Sequence, residues 1–316
     1  MTVTRRTALL AGLSGLATLA GCSMSGYQGP EREIVIAAGE SGGFYLAFAE
    51  LLAQQLNRAE PRLRATAVET EASVENLRRL RDGRADLGLV LGDVSESAFA
   101  GAEPFSVPIA FSAIGRVYEN YHQLVVRADG RVRSLADLAG RPVAMGASGS
   151  GVAVFSTRLF ARAEIPVHAR NLLLGEAINA LVAHEVDALF WSGGIPTPAL
   201  SDLNRTTPIT LLPLDAHLPA LRAGYGPVYD QVHVPAQAYQ GVGELRTIGV
   251  ANLLLAAPSL PDDAAAAVAR VLAAHAADLV PAPAVGTQFL DVRTLIGTGK
   301  VPLHPGAASA YRALHG

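Results

Sequence analysis

The chain has 316 residues, half of them hydrophobic and 17% charged, with a formal net charge of −3. That length accommodates two lobes of ordinary size, and that composition excludes a disordered chain. The near-neutral balance, with no basic stripe on any segment, excludes an electrostatic case for nucleic acid.

The first stretch reads as a targeting segment. Arg5 and Arg6 give a positive start, and Thr7 to Ala20 is an apolar run rich in Ala, Leu and Gly. A membrane span needs roughly 20 apolar residues, so this run is too short to be one. It ends in Leu19-Ala20-Gly21-Cys22, small residues before a cysteine, which fits a lipoprotein signal-peptidase site. Cys22 is the one cysteine in the chain. The expectation is a signal peptide over 1–21 and lipidation of Cys22, which tethers an extracytoplasmic protein to the membrane. A buried thiol in an ordinary signal peptide is the alternative. Thr4-Arg5-Arg6-Thr7 also fits a twin-arginine export signal, so the export route stays open. Residues 22–32, with Gly26, Gly29 and Pro30, read as a tether. No later segment reads as a transmembrane helix.

From there, short β-rich runs alternate with helical patterns. Glu33 to Ala38 is a buried strand candidate, followed by a Gly-rich turn and a helix from about Phe44 to Asn57. Leu63 to Val68 is a second strand. Val74, Leu77 and Leu80 stand at helical spacing in a helix over Ser73 to Asp82, and Asp86 to Leu91 is the next strand. A long, irregular connection then leads to a strand over Tyr121 to Arg127. Val143 to Met145 leads into Gly146 to Gly151 and a helix over Val152 to Ala163. Asp187 to Trp191 is a strand before Ser192-Gly193-Gly194, and Thr247 to Ala256 is a long apolar strand. A helix over Pro261 to Leu279 carries Asp262 and Asp263 in its first turn, where they suit the helix dipole. The rhythm predicts an α/β fold of two lobes with largely parallel strands. Lobe I is expected over 31–121 plus 246–316 and lobe II over 122–245, with the two crossings as hinges.

Three small-residue loops follow strand ends: Gly39-Glu40-Ser41-Gly42-Gly43, Gly146-Ala147-Ser148-Gly149-Ser150-Gly151, and Ser192-Gly193-Gly194. Glycine lets a ligand approach the main chain, and the N–H groups of a helix's first turn favour an anion. Tight turns and helix caps explain the same residues without a ligand. The first loop also matches G-x-S-x-G, which would make Ser41 a hydrolase nucleophile, with Asp291 and His304 downstream in the right order. Against this, no flanking sheet and no oxyanion loop precede it. The second loop lacks the Lys of a phosphate-binding P-loop. The eight histidines are scattered, so no metal site and no cofactor are expected. Trp191, the lone tryptophan, reads as core or as a wall of a cleft.

The chain resembles the TAXI class of solute receptors of tripartite ATP-independent periplasmic (TRAP) transporters. The landmarks are Ala38 to Tyr45, Ser73 to Leu77, Gly83 to Leu87 with Asp93-Val94, Ser134 to Val143, Gly146 to Gly151, Gly193 to Ala199 and Pro302 to Ala307. The resemblance implies a type II periplasmic-binding-protein fold without catalysis. It also implies a small carboxylate-bearing ligand, an amino acid or dicarboxylate, delivered to TRAP permease subunits in the membrane. Ligand contacts carried over on this basis are Ser41, Gly42, Gly43 and Tyr45 from the first lobe and Ser148, Gly149, Ser150 and Gly151 from the second, with Trp191 and Gly193 beside them. Two departures stand out. Glu69-Thr70-Glu71-Ala72-Ser73 replaces a Gly-rich segment, and Leu91-Gly92 replaces Gln-Ser, both at strand ends expected to face the cleft. With Glu40 they put carboxylates beside the first loop, which argues for a ligand less anionic than a dicarboxylate, or one carrying an amine. Ligand sensing for a membrane signalling partner would use the same lobes as transport.

Overall fold

The computed structural model describes residues 26–281, 291 and 293–315. The signal segment, Cys22 and the start of the tether lie outside them. No helix among the described residues is long and apolar enough to cross a membrane.

In chain order the elements are β1 (Arg32–Ala37), α1 (Phe44–Ala59), β2 (Leu63–Val68), α2 (Ser73–Arg81), β3 (Leu87–Leu91), α3 (Gly92–Ala100) and β4 (Ser112–Arg127). Then come β5 (Pro142–Ala144), α4 (Gly151–Ala163), β6 (His168–Arg170), α5 (Leu174–Val182), β7 (Ala188–Gly193), α6 (Pro198–Thr206) and β8 (Ile209–Leu212). The last are α7 (Leu218–Tyr225), β9 (Tyr229–Val234), β10 (Leu245–Ala256), α8 (Asp262–Ala274) and α9 (Pro305–His315).

The sheet runs β2-β1-β3-β10-β4-β7-β5-β6, with β8 on β4 and β9 on β10. β1, β2 and β3 are parallel and form a first block; β5, β6 and β7 are parallel and form a second. The long strands β4 and β10 pair antiparallel with each other and join the blocks. The chain therefore passes to the second block through β4 and returns through β10.

Helix periodicity explains the packing. On α1, Phe48, Leu52 and Leu56 recur every fourth residue and are buried together with Val268 and Leu272 of α8. Burial of one such leucine stabilises the fold by about 2 kcal/mol. A separate cluster in the second block holds Leu174, Leu181, Leu200 and Leu203. A third runs unbroken from Leu77 and Val90 in the first block to Phe155 and Phe190 in the second.

The irregular connection expected before Tyr121 is not irregular. It contains α3, and β4 starts nine residues earlier, at Ser112. The serines that read as loop are satisfied within the helix: Ser95 Oγ donates to Leu91 O and Ser97 Oγ to Asp93 O, each at 2.9 Å. The start of β4 is buried almost throughout, so it lacks the alternation of a half-buried strand, and Arg116 and Glu119, which pair at 2.7 Å, interrupt its apolar run. Ser192 and Gly193 are likewise strand, paired with His122 and Tyr121, rather than a loop after it. The helix expected to reach Leu279 ends at Ala274 and gives way to a short 3₁₀ turn.

Candidate ligand-binding site

The C-terminal ends of β1, β3 and β5 point to one place, where α1 and α4 both begin. There a narrow, partly open cavity lies between the blocks. From the first block it is lined by Glu40, Phe44, Tyr45, Ser73 and Leu91; from the second by Ser150, Val152, Trp191 and Ser192, with Asn120 of β4 between them. Ligands of open α/β sheets bind in this position, outside the carboxyl ends of the strands.

Of the residues singled out from the sequence, Gly43, Tyr45, Ser150, Gly151 and Trp191 meet in this lining. The others are near it but outside. Ser41 and Ser148 are exposed. Gly42 borders a separate shallow pocket with Glu50 and Pro198. Gly193 backs Trp191: a Cβ there would meet the indole nitrogen at 2.6 Å. Gly149 faces Glu71, whose carboxylate a Cβ would approach to 2.7 Å.

Local chemistry fixes each wall. Ser150 caps α4: its Oγ accepts from Ala153 N at 3.2 Å and donates to Ala147 O at 2.6 Å. That hydroxyl is thus engaged as a helix cap. The Tyr45 hydroxyl donates to Asn252 Oδ1 in the buried interior. Trp191 is pinned by its Nε1, which donates to Thr197 Oγ1 at 3.0 Å, and its ring packs on the Gly43 main chain, where a Cβ would lie 3.3 Å away. Asn76, fully buried, ties β1 to β3 by donating to Ala38 O at 2.6 Å and Leu89 O at 2.7 Å. It thereby sets the height at which the first loop leaves the sheet.

The acidic residues flagged in the sequence take up backbone donors. Ser41 N donates to Glu69 Oε1 at 2.9 Å. Gly149 N donates to Glu71 Oε2 at 2.7 Å, joining the second block to the first. Leu174 N, at the start of α5, donates to Glu40 Oε2 at 2.7 Å, another bond between blocks. Among the described residues Glu40 is the one charged residue in the lining, which holds no Lys or Arg. Burial pushes its carboxyl up to about 7; the Leu174 N–H works against this, and Glu71, Glu69 and Glu176 add to it. Asn120, 2% exposed, donates through Nδ2 to Ser192 Oγ at 3.2 Å, while its Oδ1 has no partner among the described residues.

Sequence reading did not single out Phe44 or Asn120 as lining. Ser73 and Leu91 belong to the two altered strand-end segments beside the expected cleft, and Ser192 to the third small-residue loop. Behind the cavity a second contact joins the blocks. Arg158 of α4 donates to Asp93 Oδ2 of α3 at 3.1 Å and to Ser97 Oγ at 2.6 Å, and Tyr229 donates to the same Asp93 oxygen at 2.9 Å.

The hydrolase reading of Ser41 fails on geometry. His304 is buried, with Nε2 at 3.0 Å from Leu260 O and Nδ1 accepting from Gly306 N at 3.2 Å. Its backbone N–H donates to Ala113 O of β4, three strand spacings (about 14 Å) from β1 and its loop.

A family model described as NMT1-like matches residues 36–313. The chain belongs to the NMT1-like family. Solved structures resemble this NMT1-like protein at low identity. The periplasmic binding protein BugD is 14% identical, with 91% of this chain and 95% of that one covered and a TM-score of 0.58. MatC from Rhodopseudomonas palustris, solved with bound malate, is 16% identical over 83% and 91% of the two chains, with a TM-score of 0.55. A protein from Bordetella bronchiseptica is 18% identical over 91% and 90%, with a TM-score of 0.52. The shared fold is the mixed α/β, type II fold of periplasmic binding proteins, in which β4 and β10 are the strands that link the two halves.

Proposed function

We propose that this NMT1-like protein is the extracytoplasmic solute receptor of a TRAP-type transporter, not an enzyme. It captures a small metabolite between two lobes and hands it to the membrane permease. The observation that carries this reading is the cavity itself, which is lined from both blocks and sits at the strand ends where binding-protein folds hold their ligands. The lobes would be 31–121 with 246–316, and 122–245, closing about β4 and β10. Lipidation of Cys22 would keep the receptor beside its permease.

The lining does not favour the dicarboxylates that the TAXI resemblance implies. Among the described residues it offers no cation, and the loop donors Ser41 N and Gly149 N are engaged by Glu69 and Glu71. Small-angle scattering of the mature protein tests the reading. A smaller radius on adding the small-molecule fraction of spent growth medium is expected, and an unchanged radius with no bound compound overturns it. For the anchor, Cys22→Ala should move the protein from the membrane fraction to the soluble one.

A further inference from the structure

We propose that the cavity selects solutes through a protonated amine, received by Glu40 and Asn120, with the carbon skeleton against the rings of Phe44, Tyr45 and Trp191. This rests on the receptor reading above and names the class of ligand that the receptor takes.

Four observations converge. First, among the described residues Glu40 is the sole charged group of the lining, and no Lys or Arg lines the cavity to neutralise a ligand carboxylate. An anion there would face Glu40 directly, with Glu69, Glu71 and Glu176 close enough to act on the same carboxyl. Second, three backbone N–H groups beside the cavity are already engaged by the protein's own carboxylates, Glu69 on Ser41, Glu71 on Gly149 and Glu40 on Leu174. Third, Asn120 lines the cavity, and its Oδ1 is a buried acceptor without a partner among the described residues. An acceptor in that state calls for a donor, and an ammonium group brings three. Fourth, aromatic rings line the same cavity, and ring faces attract a desolvated cation. Glu40 has capacity to spare, since one bond to Leu174 N occupies a fraction of what a carboxylate accepts.

The burial that pushes Glu40 upward is relieved when a cation arrives, so ligand and proton compete for this group. Amine affinity should therefore be full above pH 7 and fall as pH drops through 7, by up to about tenfold per unit. An anionic ligand would show the opposite trend.

Calorimetric titration at pH 8 of the mature protein with matched four-carbon probes tests the proposal. The probes are butylamine, putrescine and 4-aminobutyrate against butyrate and succinate. At least one amine should bind at least about 30-fold more tightly than both amine-free acids. Glu40→Gln keeps an amide oxygen for Leu174 N and removes the charge; it should weaken amine binding at least about tenfold. Glu119→Gln, outside the lining, should leave it unchanged. Succinate binding with no amine bound overturns the proposal and leaves the receptor reading standing. No binding by any amine at 10 mM (about the weakest affinity calorimetry resolves) also overturns it. In that case the scattering experiment with spent medium decides the receptor reading separately. Amine binding that Glu40→Gln leaves intact, with no fall below pH 7, likewise overturns the assignment to Glu40.

Discussion

At the mouth of the cavity and behind it, carboxylates of the first block reach across to the second, but to different partners. In front, Glu40 and Glu71 accept single backbone N–H bonds from Leu174 and Gly149, and Glu71 is exposed. Behind, Asp93 meets a guanidinium, a tyrosine hydroxyl and its own helix, with its side chain fully buried and that of Arg158 10% exposed. A single neutral donor contributes about 1 kcal/mol net, whereas a buried charge stripped of its partner costs several. The rear contact thus fixes the two halves near the joining strands. The front contacts close the cavity at a cost small enough for a ligand to tip.

The largest test breaks the rear contact. Arg158→Met leaves Asp93 buried and unpaired and should destabilise the protein by about 3–5 kcal/mol in urea unfolding. Adding Asp93→Asn should recover most of that loss, since the stranded charge is then gone. A front-only account of how the halves are held would predict little change from either variant.

Next comes Glu40, whose folded pKa of about 7 lies above its ordinary 4.5. The folded protein keeps this proton where the unfolded chain has released it. The group's contribution to stability is therefore full below about pH 4.5 and is lost as pH rises through 7. A shift of that size corresponds to about 3 kcal/mol. Glu40→Gln should gain up to that amount at pH 8 and nothing near pH 4, read from urea midpoints at the two pH values. Glu119 behaves alike: burial raises it to about 7 against the pull of Arg116, with Asp230 adding to the rise. The same pH signature at Glu119→Gln without a change in ligand binding would separate the stability effect from the binding effect.

Glu71→Ala removes one bond between the halves and should cost about 1 kcal/mol, with faster amide exchange at Gly149. Ser41→Ala is the smallest. Its side chain is exposed and its backbone N–H, which the substitution keeps, makes the bond to Glu69. Stability should change by less than about 0.5 kcal/mol.

The loops at 39–43 and 146–151 were legible in the sequence because a strand, a small-residue turn and a helix follow one another there. That pattern singled out Gly43, Ser150 and Gly151, and the family resemblance added Tyr45; all four line the cavity. It could not say what each does. Ser150 spends its hydroxyl on a helix cap, and Ser41 and Ser148 point to solvent. The partners of the acidic residues were hidden for a different reason. Glu71 and Gly149 are 78 residues apart, and Glu40 and Leu174 134, so only the folded chain brings them together. The acidic segment itself was visible as an oddity beside an expected anion site, and the structure gives those carboxylates defined partners. Asn120 was unreadable because it lies in the middle of a strand that looked like irregular connection. Between Ile195 and Arg246 the sequence suggested no element at all, although α6, β8, α7 and β9 lie there; each is nine residues long or shorter, which leaves little run for a repeat to be recognised.

Trp191 is the only tryptophan of the chain and forms a wall of the cavity. Its fluorescence therefore reports on the central claim, that the solute is held between the two halves. A compound that binds by calorimetry should shift the emission of Trp191 with the same midpoint. Calorimetric binding that leaves the emission untouched would place the solute elsewhere and contradict the account.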